Sequence, residues 1–161
     1  MWTVVGYSIL GWLVLTGIKI NYGRLSHSFL SIQVDPRFGW FFFEVPNLLW
    51  ACYFIFLKGE GVTLPYLLFI VHYINRDIIY PLSLKTTTKV PLEIMLSAFS
   101  FTFANGYLQG IANSQGDPLP VFVRALGVVL FVGGMAVNIY SDRILQQTKE
   151  KLARESNFWG I

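Results

Sequence analysis

Five runs of apolar residues, each long enough to cross a bilayer and separated by short polar loops, decide what this chain can fold into. They are Trp2 to Ile18, Phe38 to Leu57, Val62 to Tyr80, Val90 to Ile111 and Val121 to Tyr140. A soluble helix shows an apolar stripe and a polar face, whereas these runs are apolar almost all round, as membrane spans of about 20 residues are. The loops carry turn residues: Tyr22-Gly23, Asp35-Pro36, Lys58-Gly59-Glu60-Gly61, Lys85 to Lys89, and Ser114 to Pro120. Only 13% of the 161 residues are charged, against about 25% in an ordinary soluble domain. The expected fold is all-α, a polytopic membrane helix bundle of about five transmembrane helices. It forms one transmembrane domain over residues 1–145, followed by a short charged tail over residues 146–161.

Other classes are excluded by the same residues. Cys52 is the only cysteine, which forbids an intrachain disulfide, and with His27 and His72 alone there is no Cys/His cluster for zinc or haem. The net charge of +3 comes from Lys and Arg scattered between apolar runs, so no basic face for nucleic acid is expected. The first run has no basic residue before it and no small-residue cleavage site after it, and reads as a retained anchor rather than a signal peptide. Lys19, Arg24, Arg37, Lys85, Lys89, Arg143, Lys149, Lys151 and Arg154 fall on one side, and only Lys58 and Arg124 on the other. With Arg76 set aside as intramembrane, that asymmetry places the N-terminus in the lumen or outside and the tail in the cytosol.

Polar groups inside the runs are where chemistry is expected, because a charge at the bilayer centre costs about 2.5–3.5 kcal/mol even on insertion scales. Glu44 stands in Trp40-Phe41-Phe42-Phe43-Glu44-Val45-Pro46-Asn47. His72, Tyr73 and Arg76 share a face of the third run; Asn105 and Gln109 are four apart on the fourth, and Asn138 and Asp142 four apart on the fifth. Each has a plainer reading. Glu44 pairs with Arg76, Arg76 is neutralised by Asp77 or snorkels to the surface, Asn105 and Gln109 bond helix to helix, and the aromatic run 40–43 packs in lipid.

Taken together they suggest an enzyme acting on a lipid-soluble molecule. A carboxyl group enclosed by apolar side chains keeps its proton and donates to a carbonyl oxygen. Glu44 lies in such a run. Tyr73 offers a second donor, and two donors on one oxygen stabilise an enolate as it develops, which suits reduction of a conjugated enone. The hydride has to come from a cofactor.

Tyr22-Gly23-Arg24, Trp40 to Pro46 with Glu44, His72-Tyr73 with Arg76 and Tyr80-Pro81, Asn105-Gly106-Tyr107-Leu108-Gln109, and Asn138-Ile139-Tyr140-Ser141-Asp142 together resemble the steroid 5α-reductases in order and spacing. The resemblance runs from about Tyr22 to Leu145. It implies a seven-helix protein of the endoplasmic reticulum that uses NADPH to reduce the 4,5 double bond of a 3-oxo-4-ene steroid. By position, Glu44 and Tyr73 match the catalytic pair that holds the 3-oxo group, with Trp40 beside them in the substrate site. Asn138 and Asp142 match a cofactor-binding element, and Arg76 and Lys85 match basic positions near the cofactor phosphates, Lys85 in place of the more usual Arg.

The chain departs from the family in its third loop, Lys85-Thr86-Thr87-Thr88-Lys89, which lacks glycine, and after Asp142. There the family continues through a Gly-Tyr-x-Ile-Pro-x-Gly-Gly segment and two more helices, whereas this chain runs from Gln146 to Ile161, with Glu150 and Arg154 spaced to pair on a short helix. No Gly-x-Gly-x-x-Gly fingerprint compensates. The expectation is therefore a shortened form with weak or no turnover alone. The other readings are a sibling reductase of a polyprenal or a trans-2-enoyl thioester, and a non-catalytic sterol-binding membrane protein.

Overall fold

The computed structural model describes residues 32–85, 89–116 and 119–159. The expected first span, Trp2 to Ile18, the Tyr22-Gly23-Arg24 motif and the three loop threonines 86–88 lie outside them.

Asp35 starts the first described helix, α1 (Pro36–Cys52). Its side chain accepts from the N–H groups of Arg37 (2.9 Å) and Phe38 (3.4 Å), and Pro36 has no N–H to satisfy. The helix continues through a widened π turn, Tyr53–Leu57, and ends at Gly59, whose φ of 67° suits a residue without a Cβ. Helix α2 (Leu64–Ile74) passes through a second π turn, Asn75–Ile79, into the short α3 (Tyr80–Ser83). Helix α4 spans Leu92–Ser114, and α5 runs unbroken over Val121–Trp159. Two short strands were not anticipated: β1 (Gln33–Val34) pairs antiparallel with β2 (Val90–Pro91), Val34 opposite Val90, and so ties the start of α1 to the start of α4.

The closest helix pair is α1 with α4. A Cβ on Gly106 would lie 2.9 Å from the Cα of Asn47, and one on Gly110 would overlap the ring of Phe54. Glycine at both positions brings the backbones together, as small residues do between membrane helices. Pro46 has no N–H for the carbonyl one turn before it. Beside that gap the carbonyl of Phe43 accepts a hydrogen bond from the hydroxyl of Thr102 on α4. Phe43, Val90 and Met95 form the buried cluster, with Trp40, Phe42 and Ala98 packed around it.

The described part is mostly helical. Two of its helices, Pro36–Leu57 and Val121–Leu152, are long and apolar enough to cross a membrane. They correspond to the second and fifth expected spans. The third is diluted by His72, Asn75, Arg76 and Asp77, and the fourth by Ser, Asn, Gln and Gly along α4. The apolar stretch of α5 buries none of its residues against the bundle, and Leu130, Val132 and Val137 stand more than half exposed. That surface suits hydrocarbon as its solvent.

Candidate functional site

Two linked polar sites lie along the bundle. The first centres on Arg76, in the π turn after α2. Its guanidinium donates to the Asp142 carboxylate at 3.1 Å and lies over the rings of Trp40 (4.7 Å) and Tyr80 (4.8 Å). The two rings also meet edge to face at 4.9 Å. One cation thus joins α1, α3 and α5 by an ion pair and two cation–π contacts. The plainer sequence readings for Arg76, pairing with Glu44 or Asp77 or reaching to the surface, give way to Asp142, which lies across from it on the long helix.

Asp77 is 1% exposed, and both of its carboxylate oxygens lack a hydrogen-bond partner. Asn138, one turn before Asp142 on α5, has a buried Oδ1 without a partner. Lys85 pairs instead with Glu150 at 3.1 Å, about 12 Å further along α5 than Asp142. Glu150 also meets Arg154 at 3.6 Å, the spacing expected from the sequence.

The second site is a cavity of about 570 Å³ between α2, α4 and α5. Leu64, Leu68, Phe69, Val123, Val128 and Phe131 make its walls apolar, and His72, Tyr73, Asn105, Gln109 and Arg124 supply its polar groups. Size and lining fit a drug-sized apolar ligand held by a few polar contacts. The Tyr73 hydroxyl lies 3.5 Å from Asn105 Nδ2, which donates to Asn47 Oδ1 at 3.1 Å. Asn47, fully buried, donates in turn to the backbone carbonyl of Glu44 at 3.1 Å.

Of the residues singled out by sequence, Arg76 and Asp142 are in contact, and Trp40 sits on Arg76 rather than in the cavity wall. Tyr73 lines the cavity. Glu44, half-buried on α1, is within electrostatic range of Tyr73, Arg76 and Asp77. Sequence reasoning missed Asn47, Thr102 and Tyr80 as contributors. The available signal was an amide and a hydroxyl placed mid-span beside Pro46 and Gly106, where a polar group needs a partner on the facing helix.

Comparison with known proteins bears on both sites. Residues 88–157 match the family described as 3-oxo-5-alpha-steroid 4-dehydrogenase. The chain is 32% identical to "Steroid 5-alpha-reductase DET2" of Gossypium hirsutum, covering 87% of this chain and 60% of that protein. It is 36% identical to the protein of the same name from Solanum lycopersicum, over 73% of this chain and 51% of the relative. With "3-oxo-5-alpha-steroid 4-dehydrogenase 1" of Rattus norvegicus it shares 29% identity, over 84% of this chain and 57% of the relative.

Proposed function

We propose that this chain, which spans 60% of its Gossypium hirsutum relative, belongs to the steroid 5α-reductase family and reduces the 4,5 double bond of a 3-oxo-4-ene steroid. The observation that carries this reading is the apolar cavity with the Tyr73 hydroxyl in its wall. The fused rings occupy the apolar part, and the 3-oxo oxygen accepts from Tyr73, with Glu44, which does not line the cavity but lies within electrostatic range of Tyr73, as the second donor. Two donors draw electron density toward that oxygen, so the far carbon of the enone becomes electrophilic. As hydride adds there, negative charge develops on the oxygen the donors already hold, and protonation of the near carbon completes the reduction. The apolar walls lower the local dielectric, which strengthens both hydrogen bonds.

NADPH, when bound, supplies the hydride. The residues that would hold it are Asn138, whose buried Oδ1 has an open acceptor position, with Asp142, Arg76 and Lys85. The proposed setting is the endoplasmic reticulum membrane, with the tail of α5 in the cytosol, where NADPH is available. The basic-residue asymmetry supports that orientation.

The test is saturable binding of a 3-oxo-4-ene steroid to membranes containing the full chain, with steroid-dependent NADPH oxidation measured alongside. Binding that weakens in Tyr73→Phe is expected. A chain that takes up no 3-oxo steroid overturns the reading.

A further inference from the structure

The amide chain behind Tyr73 has a direction, and that direction is fixed at one end. The backbone carbonyl of Glu44 can only accept a hydrogen bond. The side chain of Asn47 therefore turns its Nδ2 toward it, at 3.1 Å, and presents Oδ1 to α4. An oxygen there requires a donor from Asn105, and Asn105 Nδ2 meets it at 3.1 Å. The same nitrogen, which carries two hydrogens, lies 3.5 Å from the Tyr73 hydroxyl. Tyr73 oxygen is thus the acceptor of this contact, and the phenolic proton is left to point away from Asn105.

We propose that Asn47 and Asn105 are positioning residues that set the polarity of the Tyr73 hydroxyl, so that it meets a ligand in the cavity as a donor and selects a ketone oxygen over a hydroxyl group. The proposal rests on the reading of the cavity as the steroid site, and it assigns to that site a rule for the oxidation state of the group it holds.

The surroundings are built for such a relay. Asn47 is 0% exposed, so no solvent competes for its amide and the assignment of oxygen and nitrogen follows from its partners. Gly106, next to Asn105, leaves room for the approach: a Cβ there would lie 3.2 Å from Asn47 Oδ1 as well as 2.9 Å from its Cα. One turn earlier on α4, Thr102 bonds the carbonyl of Phe43, which holds the two helices in the same register. Tyr73 and Asn105 both line the cavity, whereas Asn47 lies behind them.

A ketone only accepts. A hydroxyl both donates and accepts, and opposite a phenol that donates, its own proton is left without a partner in the apolar wall. Reversing the relay reverses the preference. In Asn105→Asp a carboxylate faces Tyr73 and takes its proton as a hydrogen bond, so the phenol oxygen turns its lone pairs to the cavity and opposes a ketone.

The experiment measures binding of a 3-oxo-4-ene steroid and of its 3-hydroxy counterpart to the full chain, as wild type, Asn105→Asp, Asn105→Leu and Tyr73→Phe. The ketone-to-alcohol affinity ratio is expected to fall by about tenfold or more in Asn105→Asp, the loss expected when two acceptors are buried face to face. A smaller fall is expected in Asn105→Leu, where the phenol is free to rotate. Tyr73→Phe binds both ligands more weakly. An unchanged ratio in a folded Asn105→Asp protein overturns the proposal.

A second measurement needs neither a folded relay variant nor a steroid. The tyrosine ring doublet in the Raman spectrum reports whether a phenol oxygen accepts or only donates, and Tyr73 is isolated by subtracting the spectrum of Tyr73→Phe. The signature of an accepting oxygen is expected; that of a phenol that only donates overturns the relay. If the wild type binds no steroid, the steroid reading fails while this spectrum still judges the relay.

Discussion

Arg76 and Asp142 stand 66 positions apart in sequence and 3.1 Å apart in space, with 14% and 17% of their side chains exposed. The long helix α5 makes few other ties to the bundle. Along its polar part Gln146 also meets Ser83 and Glu150 meets Lys85, both more exposed. The pair is the less exposed of the two ion pairs that tie α5 to the bundle here.

Breaking that pair from one side leaves an uncompensated, mostly buried charge. Asp142→Asn is expected to destabilise the protein by about 2 kcal/mol or more, and the double replacement Arg76→Met with Asp142→Leu by less than either single change. Denaturant unfolding in detergent micelles measures both. Equal losses in the single and double variants would show that the pair contributes nothing specific.

The Lys85–Glu150 pair gives the opposite expectation. The Lys85 side chain is 69% exposed, so solvent screens the attraction. Lys85→Ala is expected to change stability by no more than about 0.5 kcal/mol. A larger effect, persisting at high salt, would contradict the exposed geometry.

Helix contact rather than charge governs Gly110. Its missing Cβ leaves the space filled by the Phe54 ring, which is 5% exposed. Gly110→Ala is expected to cost about 1–3 kcal/mol through overpacking. Adding Phe54→Leu should recover part of the loss, and absence of any recovery would locate the damage elsewhere.

For the proposed reaction, removing a donor to the developing oxyanion costs about 100-fold or more in kcat. Tyr73→Phe and Glu44→Gln are each expected to show such a loss in steroid-dependent NADPH oxidation. Full retention of rate in Glu44→Gln would remove the carboxyl group from the clamp.

Much of the architecture was legible because helix periodicity and apolarity are local properties. Asp35-Pro36 announces the start of α1, and Gly59 and Gly116 take the positive φ angles of their turns. The pairing of β1 with β2 was not legible, since two residues on each side carry no periodic signal. The π turns escaped for a similar reason: one extra residue in a turn does not alter hydrophobicity. At the site, sequence indicated which side chains are polar within the spans but not which meet. The sequence offered Arg76 two partners, Glu44 and Asp77, and its pairing with Asp142 depends on how α5 lies against α2 and α3. Asn47 read as the end of an aromatic motif, and only its contact with Asn105 shows what its amide does.

The length of α5 fixes depths as well as contacts. At 1.5 Å per residue, Asp142 lies about 32 Å along the axis from Val121, close to the roughly 30 Å thickness of a hydrocarbon core. In a bilayer with one face at Val121, Asn138 and Asp142 would reach the other, and the remaining turns would extend about 26 Å beyond it. On the proposed reading the helix is a gauge rod: it would place Arg76 and its partners on the plane where a reactant dissolved in lipid and one dissolved in water could reach each other without either leaving its own phase.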